Sequence, residues 1–162
     1  MDLMIHDIDI ILSINKSNVK KIDASGVSII SSTPDIANAR IEFEDGCIAN
    51  LTSSRISLKK MRKIRIFQED AYISINFLEK ELQVVKIRDK HKGEAESSLI
   101  VKNNLGEEKV IFFENPKVQS INSIEAELND FYESIKFKSD SKVSLNDGIK
   151  ALEVAEEIMR QL

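Results

Sequence analysis

The chain of 162 residues is 42% hydrophobic and 31% charged, a balance typical of folded globular proteins and not of disordered or membrane-spanning ones. Its formal net charge of −4 argues against a dedicated nucleic-acid-binding domain, which is usually strongly basic. A single cysteine excludes a disulfide framework within the chain and any zinc site built from several cysteines.

Targeting and nucleotide-binding signals are absent from the sequence. No apolar run approaches the roughly 18 residues of a membrane-spanning helix, and the N-terminus is acidic where a secretory signal would be basic. We therefore expect a cytoplasmic protein without a membrane or nucleic-acid partner. The five glycines form neither G-x-G-x-x-G nor G-x-x-x-x-G-K-[ST]. The two histidines and the cysteine lie too far apart for metal-ligand spacing, so no metal is expected.

The first patterned segment spans residues 1–15, where apolar side chains recur at helical spacing. Four polar residues follow the i, i+4, i+7, i+11 positions of one narrow stripe along this helix: Asp2, His6, Asp9 and Ser13. An ordinary surface helix has a broader polar face. The narrow stripe predicts a largely buried helix whose stripe faces a pocket or a partner.

The middle of the chain predicts antiparallel strands. Residues 36–44 alternate between polar and apolar side chains, and one face carries Ala37, Ala39, Ile41 and Phe43. Asp45-Gly46 predicts a hairpin with a type I′ turn, and Cys47 just beyond it is expected to be a small buried hydrophobe. Further strands are predicted at 19–30, 61–67, 71–77 and 82–88, with weaker ones at 98–102 and 108–113.

The C-terminal region predicts two helices. The first has one apolar stripe, formed by Ile124, Leu128, Phe131 and Ile135. The second spans about 145–161 after a capping box at Ser144 and Asp147, and its predicted core residues are Ile149, Leu152, Ala155, Met159 and Leu162. This order of elements predicts a single domain over residues 1–162 of class α+β, a mainly antiparallel, open-faced β-sheet with helices packed on one face.

Three groups of residues are candidates for a site. His6 lies one helical turn after Asp2, an arrangement in which a carboxylate can orient an imidazole that acts as a general base; the alternative is a solvated polar stripe. Asn38 and Arg40 on the first hairpin could line a substrate site or a subunit contact. The basic run 59–65 could be a phosphate site for a nucleotide sugar or a solvated strand and turn. Its charges fall on both faces of the strand, which favours the solvated strand and turn.

Three segments resemble the glucose–fructose oxidoreductase/inositol dehydrogenase (Gfo/Idh/MocA) family. Asp2-Leu-Met-Ile-His6-Asp7-Ile-Asp9 resembles its D-x-x-x-H-x-x-D segment. Residues 35–52 are similar to the first long hairpin of its second domain, and residues 144–155 to its closing helix. Together they bracket the chain.

The resemblance implies the C-terminal, substrate-binding and oligomerisation domain of an oxidoreductase acting on a sugar, cyclitol or nucleotide sugar. It implies that His6 accepts or donates the proton at the substrate hydroxyl, that Asp2 supports His6 or binds substrate, and that Asp9 binds substrate. Family members bind NAD or NADP in a separate Rossmann domain, and their open sheet commonly packs against a second subunit. A homo-oligomer through the open sheet face is therefore expected.

One departure from the family concerns the cofactor. Neither a glycine-rich phosphate loop nor a Glu-Lys-Pro tripeptide occurs in this sequence. We therefore expect no cofactor bound by this chain alone, a missing Rossmann domain as its partner, and no dehydrogenase activity without it. The competing hypothesis is a free-standing, non-catalytic β-sheet module for binding or assembly, which would self-associate without affinity for a sugar.

Overall fold

A computed structural model describes residues 3–89, 99–102, 106–119 and 121–162. Its elements are α1 (Ile5–Ile14), β1 (Val19–Val27), β2 (Ile36–Phe43), β3 (Ile48–Ser54), β4 (Lys63–Phe67), β5 (Ala71–Asn76), β6 (Glu81–Asp89), β7 (Leu99–Lys102), β8 (Glu108–Glu114), α2 (Ser123–Phe137) and α3 (Leu145–Gln161). The order of helix, strands and two helices agrees with the prediction, and the α+β class is confirmed.

The strands form two antiparallel sheets rather than the one sheet that the alternating pattern predicted. The first has the order β1-β2-β3 and the second the order β4-β5-β6-β8-β7. The chain correspondingly divides into two compact units, one of Met1–Leu58 with Ile124–Leu162 and one of Lys59–Ser123. The single-domain assignment stays a prediction. None of the helices described is long and apolar enough to cross a membrane.

The core of the first unit lies on one face of its sheet. The alternation predicted for β2 is confirmed, because Ile41 and Phe43 are fully buried while Asn38 and Arg40 are exposed. Helices α1 and α3 cover the buried face, with Met4 and Ile8, among others, in the same cluster. The opposite face of this sheet is polar and open.

Helix α3 buries a different face from the predicted one. Ile149, Leu152 and Met159 are 44%, 52% and 57% exposed, and of the predicted set only Ala155 is fully in the core. The buried residues are instead Ala151, Val154, Ala155 and Ile158. Two alanines let the helix approach the sheet closely, which large side chains at those positions would prevent. The predicted capping box is confirmed, with Ser144 and Asp147 bonded reciprocally.

Two expectations at the first hairpin are wrong. Gly46 has a positive φ of 85°, but Asp45 does not, so the turn is not type I′. Gly46 N donates to Phe43 O, and Phe43 N donates to Cys47 O, which is the pattern of a longer loop closed by a glycine bulge. The bulge turns Cys47 outward, and this residue is exposed, not buried.

The second unit is a five-stranded sheet with few buried residues. Of its described side chains, only Val110 and Asn76 are buried. The register brings Phe67, Tyr72, Val85 and Phe113 into one cross-strand row. Phe67 and Phe113 are 76% and 66% exposed, so this row forms an apolar strip on the surface of the sheet.

Gly26 on β1 is predicted to be the less replaceable of two glycines. A Cβ there would lie 2.9 Å from the Pro34 ring and 2.9 Å from Leu162 Cδ2, whereas one at Gly148 in α3 would meet nothing within 4 Å. We expect Gly26→Ala to destabilise the protein by about 1–3 kcal/mol through overpacking. Gly148→Ala should stabilise it by about 0.5–1 kcal/mol, because alanine favours the helix. Urea unfolding of both variants measures this, and equal midpoints would contradict it.

Candidate functional site

Helix α1 presents His6 to solvent. Met4 and Ile8 are fully buried against the sheet, which fixes the rotation of the helix. Residues two apart on a helix point about 200° apart, so the exposed His6 side chain faces away from Ile8 and the core. Asp2, its predicted partner, lies outside the described residues, and the pairing of the two stays a prediction.

The remainder of the predicted stripe runs toward the C-terminal end of α1. Asp9 is half-buried, and the exposed Ser13 donates to Ile10 O at 2.7 Å. Both side chains line a cavity of about 460 Å³ between this end of α1 and the start of α3, here called the Asp9 cavity. Its charged groups are balanced: Lys16, Lys142 and Lys150 against Asp9, Asp147 and Glu153.

Asn38 and Arg40 do not join His6 in one site. They project from the open face of the first sheet, whereas α1 covers the opposite face. Asn38 Oδ1 accepts a hydrogen bond from Thr52 Oγ1 at 2.8 Å, and an Arg40 Nη donates to Asn50 Oδ1 at 3.1 Å. These cross-strand pairs form an ordered polar surface on the face of the sheet opposite to α1.

A second cavity, of about 410 Å³, adjoins Leu3 at the end of α1 that carries His6. We call it the Arg55 cavity. Its polar wall is formed by Thr33, Asp35, Ser53, Ser54 and Arg55, and its apolar wall by Leu3, Pro34, Ala37, Met159 and Leu162. The polar wall comes from the loop after β1 and from the end of β3.

Asp35 organises the loop at this cavity. It is only 5% exposed, and its carboxylate accepts the backbone N–H groups of Ile29, Ile30 and Ser31 at 2.7–3.0 Å and also the Ser31 hydroxyl. The Ser31 hydroxyl above all, and then the three amides, hold the pKa of the Asp35 carboxyl well below its usual range. The loop is therefore tied to a charged group at neutral pH.

Arg55 is the functional candidate that the sequence analysis missed. Its backbone N–H donates to Asp35 O at 2.9 Å, and its exposed guanidinium makes one 3.4 Å contact with Thr33 Oγ1. Within the ranges that the structure covers, no carboxylate pairs with this guanidinium. The signal available in the sequence was the polar run Ser53-Ser54-Arg55 where a strand ends, because strand ends often carry site residues.

The basic run 59–65 is spread over a strand and its approach. Lys63 and Arg65 are exposed on one face of the edge strand β4, whereas Arg62 lies over the Phe77 ring at 5.0 Å. The charges therefore do not converge on one point. No cluster of three or more His, Cys, Asp or Glu side chains that could hold a metal ion occurs among the described residues.

The fold and the site together define an open-faced α+β domain with a histidine-bearing helix on one side of an antiparallel sheet. Residues 1–74 match the model of the GFO/IDH/MocA C-terminal domain. The resemblance that the sequence motifs predicted is confirmed for residues 1–74, which contain two of the three motifs.

Individual relatives are oxidoreductases. UDP-N-acetylglucosamine 3-dehydrogenase of Acidithiobacillus ferrooxidans is 37% identical over 84 residues, which cover 52% of this chain and 27% of that protein. A crystal form of that enzyme matches 100% of this chain and 46% of its own, with 25% identity and a TM-score of 0.81. Levoglucosan dehydrogenase in complex with NADH, 16% identical with a TM-score of 0.75, covers 99% and 46% and shares the fold. The chain spans less than half the length of these relatives.

The part of the chain that the structure describes does not fit a dinucleotide cofactor. A dinucleotide pyrophosphate is usually held by a glycine-rich turn between a strand and a helix. The connection from β8 to α2, the strand-to-helix junction in the described structure, contains no glycine at residues 115–122. No hydride-transfer step can therefore be derived from this chain.

The Asp35 hydrogen bonds predict a specific dependence of stability on pH. Because the folded-state pKa is lowered, the Asp35 contribution is present above the unfolded-state pKa of about 3.9 and is lost as pH falls toward the folded-state pKa. We expect Asp35→Asn to destabilise the protein at pH 7 and to approach wild type in acid. Urea unfolding from pH 7 to 3 measures the difference, with the exposed Asp140→Asn as control; a pH-independent difference would contradict this account.

Proposed function

We propose that this chain is the substrate-binding half of an NAD(P)-dependent oxidoreductase that acts on a sugar, cyclitol or nucleotide sugar. The observation that carries the proposal is the likeness of the whole chain to UDP-N-acetylglucosamine 3-dehydrogenase, at 25% identity and a TM-score of 0.81. Levoglucosan dehydrogenase, the more distant relative, also has a sugar-type substrate by its name. The nicotinamide cofactor would be held by a Rossmann domain outside the segment described.

His6 is the proposed acid/base residue, supported by its exposure on the outward face of a firmly packed helix. An imidazole held on a rigid element can accept the proton of a substrate hydroxyl. Asp2 would orient the ring from one turn earlier. Asp9, half-buried one turn later, would accept a hydrogen bond from a neighbouring hydroxyl of the substrate.

The proposed role of His6 predicts a selective loss of turnover. In the enzyme formed by this chain with its dinucleotide-binding domain, we expect His6→Ala to lower kcat by about 10²–10⁴-fold, the usual contribution of general acid–base catalysis. Affinity for NAD(P)H, measured by fluorescence titration, should remain unchanged. Ser13→Ala, two turns away on α1, is the matched control. Unaltered turnover in His6→Ala would refute the assignment.

We also propose that the chain forms a homo-oligomer through the open face of its first sheet. The support is the ordered polar surface around Asn38 and Arg40, which needs little rearrangement to meet a second copy, and two-fold packing makes one patch complementary to itself. Asn38 and Arg40 would then contribute to assembly. They would contact substrate only where the substrate lies next to the interface.

The oligomer proposal predicts that a charge reversal on this face weakens assembly. We expect wild-type protein to sediment as a dimer or larger species, and Arg40→Glu to shift it toward monomer at the same concentration. Lys150→Glu, the same reversal on the helix layer, should leave the distribution unchanged. Analytical ultracentrifugation measures the species, and a monomeric wild-type protein would contradict the proposal.

A second candidate function is a non-catalytic assembly module, favoured by the surface of α2. The predicted apolar stripe exists, but Ile124, Leu128, Phe131 and Ile135 are each 63–67% exposed, and the helix buries none of its residues. Exposed apolar surface of this kind promotes association. Self-association without affinity for a sugar or nucleotide sugar would favour this module over the enzyme half.

A further inference from the structure

The Arg55 cavity combines a guanidinium that has no salt bridge within the described ranges with several residues that carry hydroxyl groups. The Arg55 guanidinium offers a planar fork of donors, which matches two oxygens of a phosphate or carboxylate. Hydroxyls of Thr33, Ser53 and Ser54 line the same cavity. The volume of about 410 Å³ is within the range of small-molecule sites. These features together suit an anionic group better than a neutral one.

We propose that the Arg55 cavity binds an oxyanion carried by the substrate, either a phosphate of a nucleotide sugar or the carboxylate of a sugar acid. This inference rests on the proposed function for the sugar-type nature of the substrate. Leu3, Pro34 and Met159 line the other side of the cavity and would pack against the apolar part of such a substrate.

Asp35 lines the same cavity but forms no salt bridge with Arg55. Its ionised carboxylate accepts hydrogen bonds from four donors of its own loop, which occupy its acceptor positions. The same bonds hold the loop in place, and Asp35 O accepts the backbone N–H of Arg55. Asp35 is thus a positioning residue that fixes both sides of the polar wall.

The position of the cavity relates it to the proposed acid/base residue. Leu3, which lines the Arg55 cavity, precedes His6 by three residues on the segment that starts α1. An oxyanion bound there would lie at the His6 end of the helix. A substrate that spans the two would present its sugar hydroxyl to His6 while its charged group contacts Arg55.

The two other cationic regions are weaker candidates for this role. In the Asp9 cavity, three lysines face an equal number of carboxylates, so an anion gains little there. Lys63 and Arg65 stand on the exposed face of an edge strand, where hydration and salt weaken their attraction for an anion. In the Arg55 cavity one carboxylate, Asp35, stands with Arg55, but its own loop occupies its acceptor oxygens and it forms no salt bridge with the guanidinium.

Isothermal titration calorimetry on the full chain tests the proposal. The probes are UDP-N-acetylglucosamine, UDP, glucuronate and neutral N-acetylglucosamine. We expect at least one of the charged probes to bind more tightly than N-acetylglucosamine, and Arg55→Gln to weaken that binding by ~10- to 100-fold, as expected for loss of a charge-assisted contact. Arg55→Lys should recover part of it. Arg160→Gln, on the surface of α3, is the matched control and should bind as wild type.

The source of the oxyanion follows from the probes. Tight binding of UDP identifies a phosphate, and tight binding of glucuronate identifies a carboxylate. Equal affinity of wild type and Arg55→Gln for every charged probe, or no binding of any charged probe, would overturn the proposal. A loss of affinity for the charged probes in Arg65→Gln, instead of in Arg55→Gln, would also overturn the proposal. The His6→Ala turnover assay tests the proposed function separately from the oxyanion site. If His6→Ala loses turnover while ligand binding does not depend on Arg55, only the oxyanion site is overturned.

Discussion

The close packing of two helices on one face of a three-stranded sheet is the constraint on which the first unit depends. Ala37 and Ala39 on β2 and Ala151 and Ala155 on α3 supply small side chains where the layers meet, and larger residues fill the space around them. Interiors packed at this density tolerate little change in volume. The rotation of α1 is therefore fixed by Met4 and Ile8, which are fully buried in this packed layer.

The orientation of the candidate site follows from this packing. With Ile8 inward, His6 must point outward, and the polar partners on the far face of the sheet cannot reach it. At the same end of α1, the loop held by Asp35 and the end of β3 bring Arg55 beside Leu3. One layer of packing thus places an imidazole and a guanidinium near the same end of α1 and leaves the opposite face of the sheet exposed.

Local patterns predicted most of the fold, because alternation along β2 and the capping box before α3 are set by neighbours in sequence. The division into two sheets was not predictable, since strand pairing depends on contacts between distant residues. The face of α3 was misjudged for a related reason: its large apolar residues suggested one core, but the close approach to the sheet selected Ala151 and Ala155. Arg55 was missed because its cavity joins four segments distant in sequence.

The central claim is that this chain binds a sugar-type substrate at the His6 end of α1. The most direct test is to follow backbone amide chemical shifts of the ¹⁵N-labelled chain while UDP-N-acetylglucosamine is added. The account predicts saturable shifts grouped around His6, Leu3 and the Asp35 loop, with Arg55 among them. Shifts confined to the open face near Asn38 and Arg40, or no shifts at saturating ligand, would contradict it.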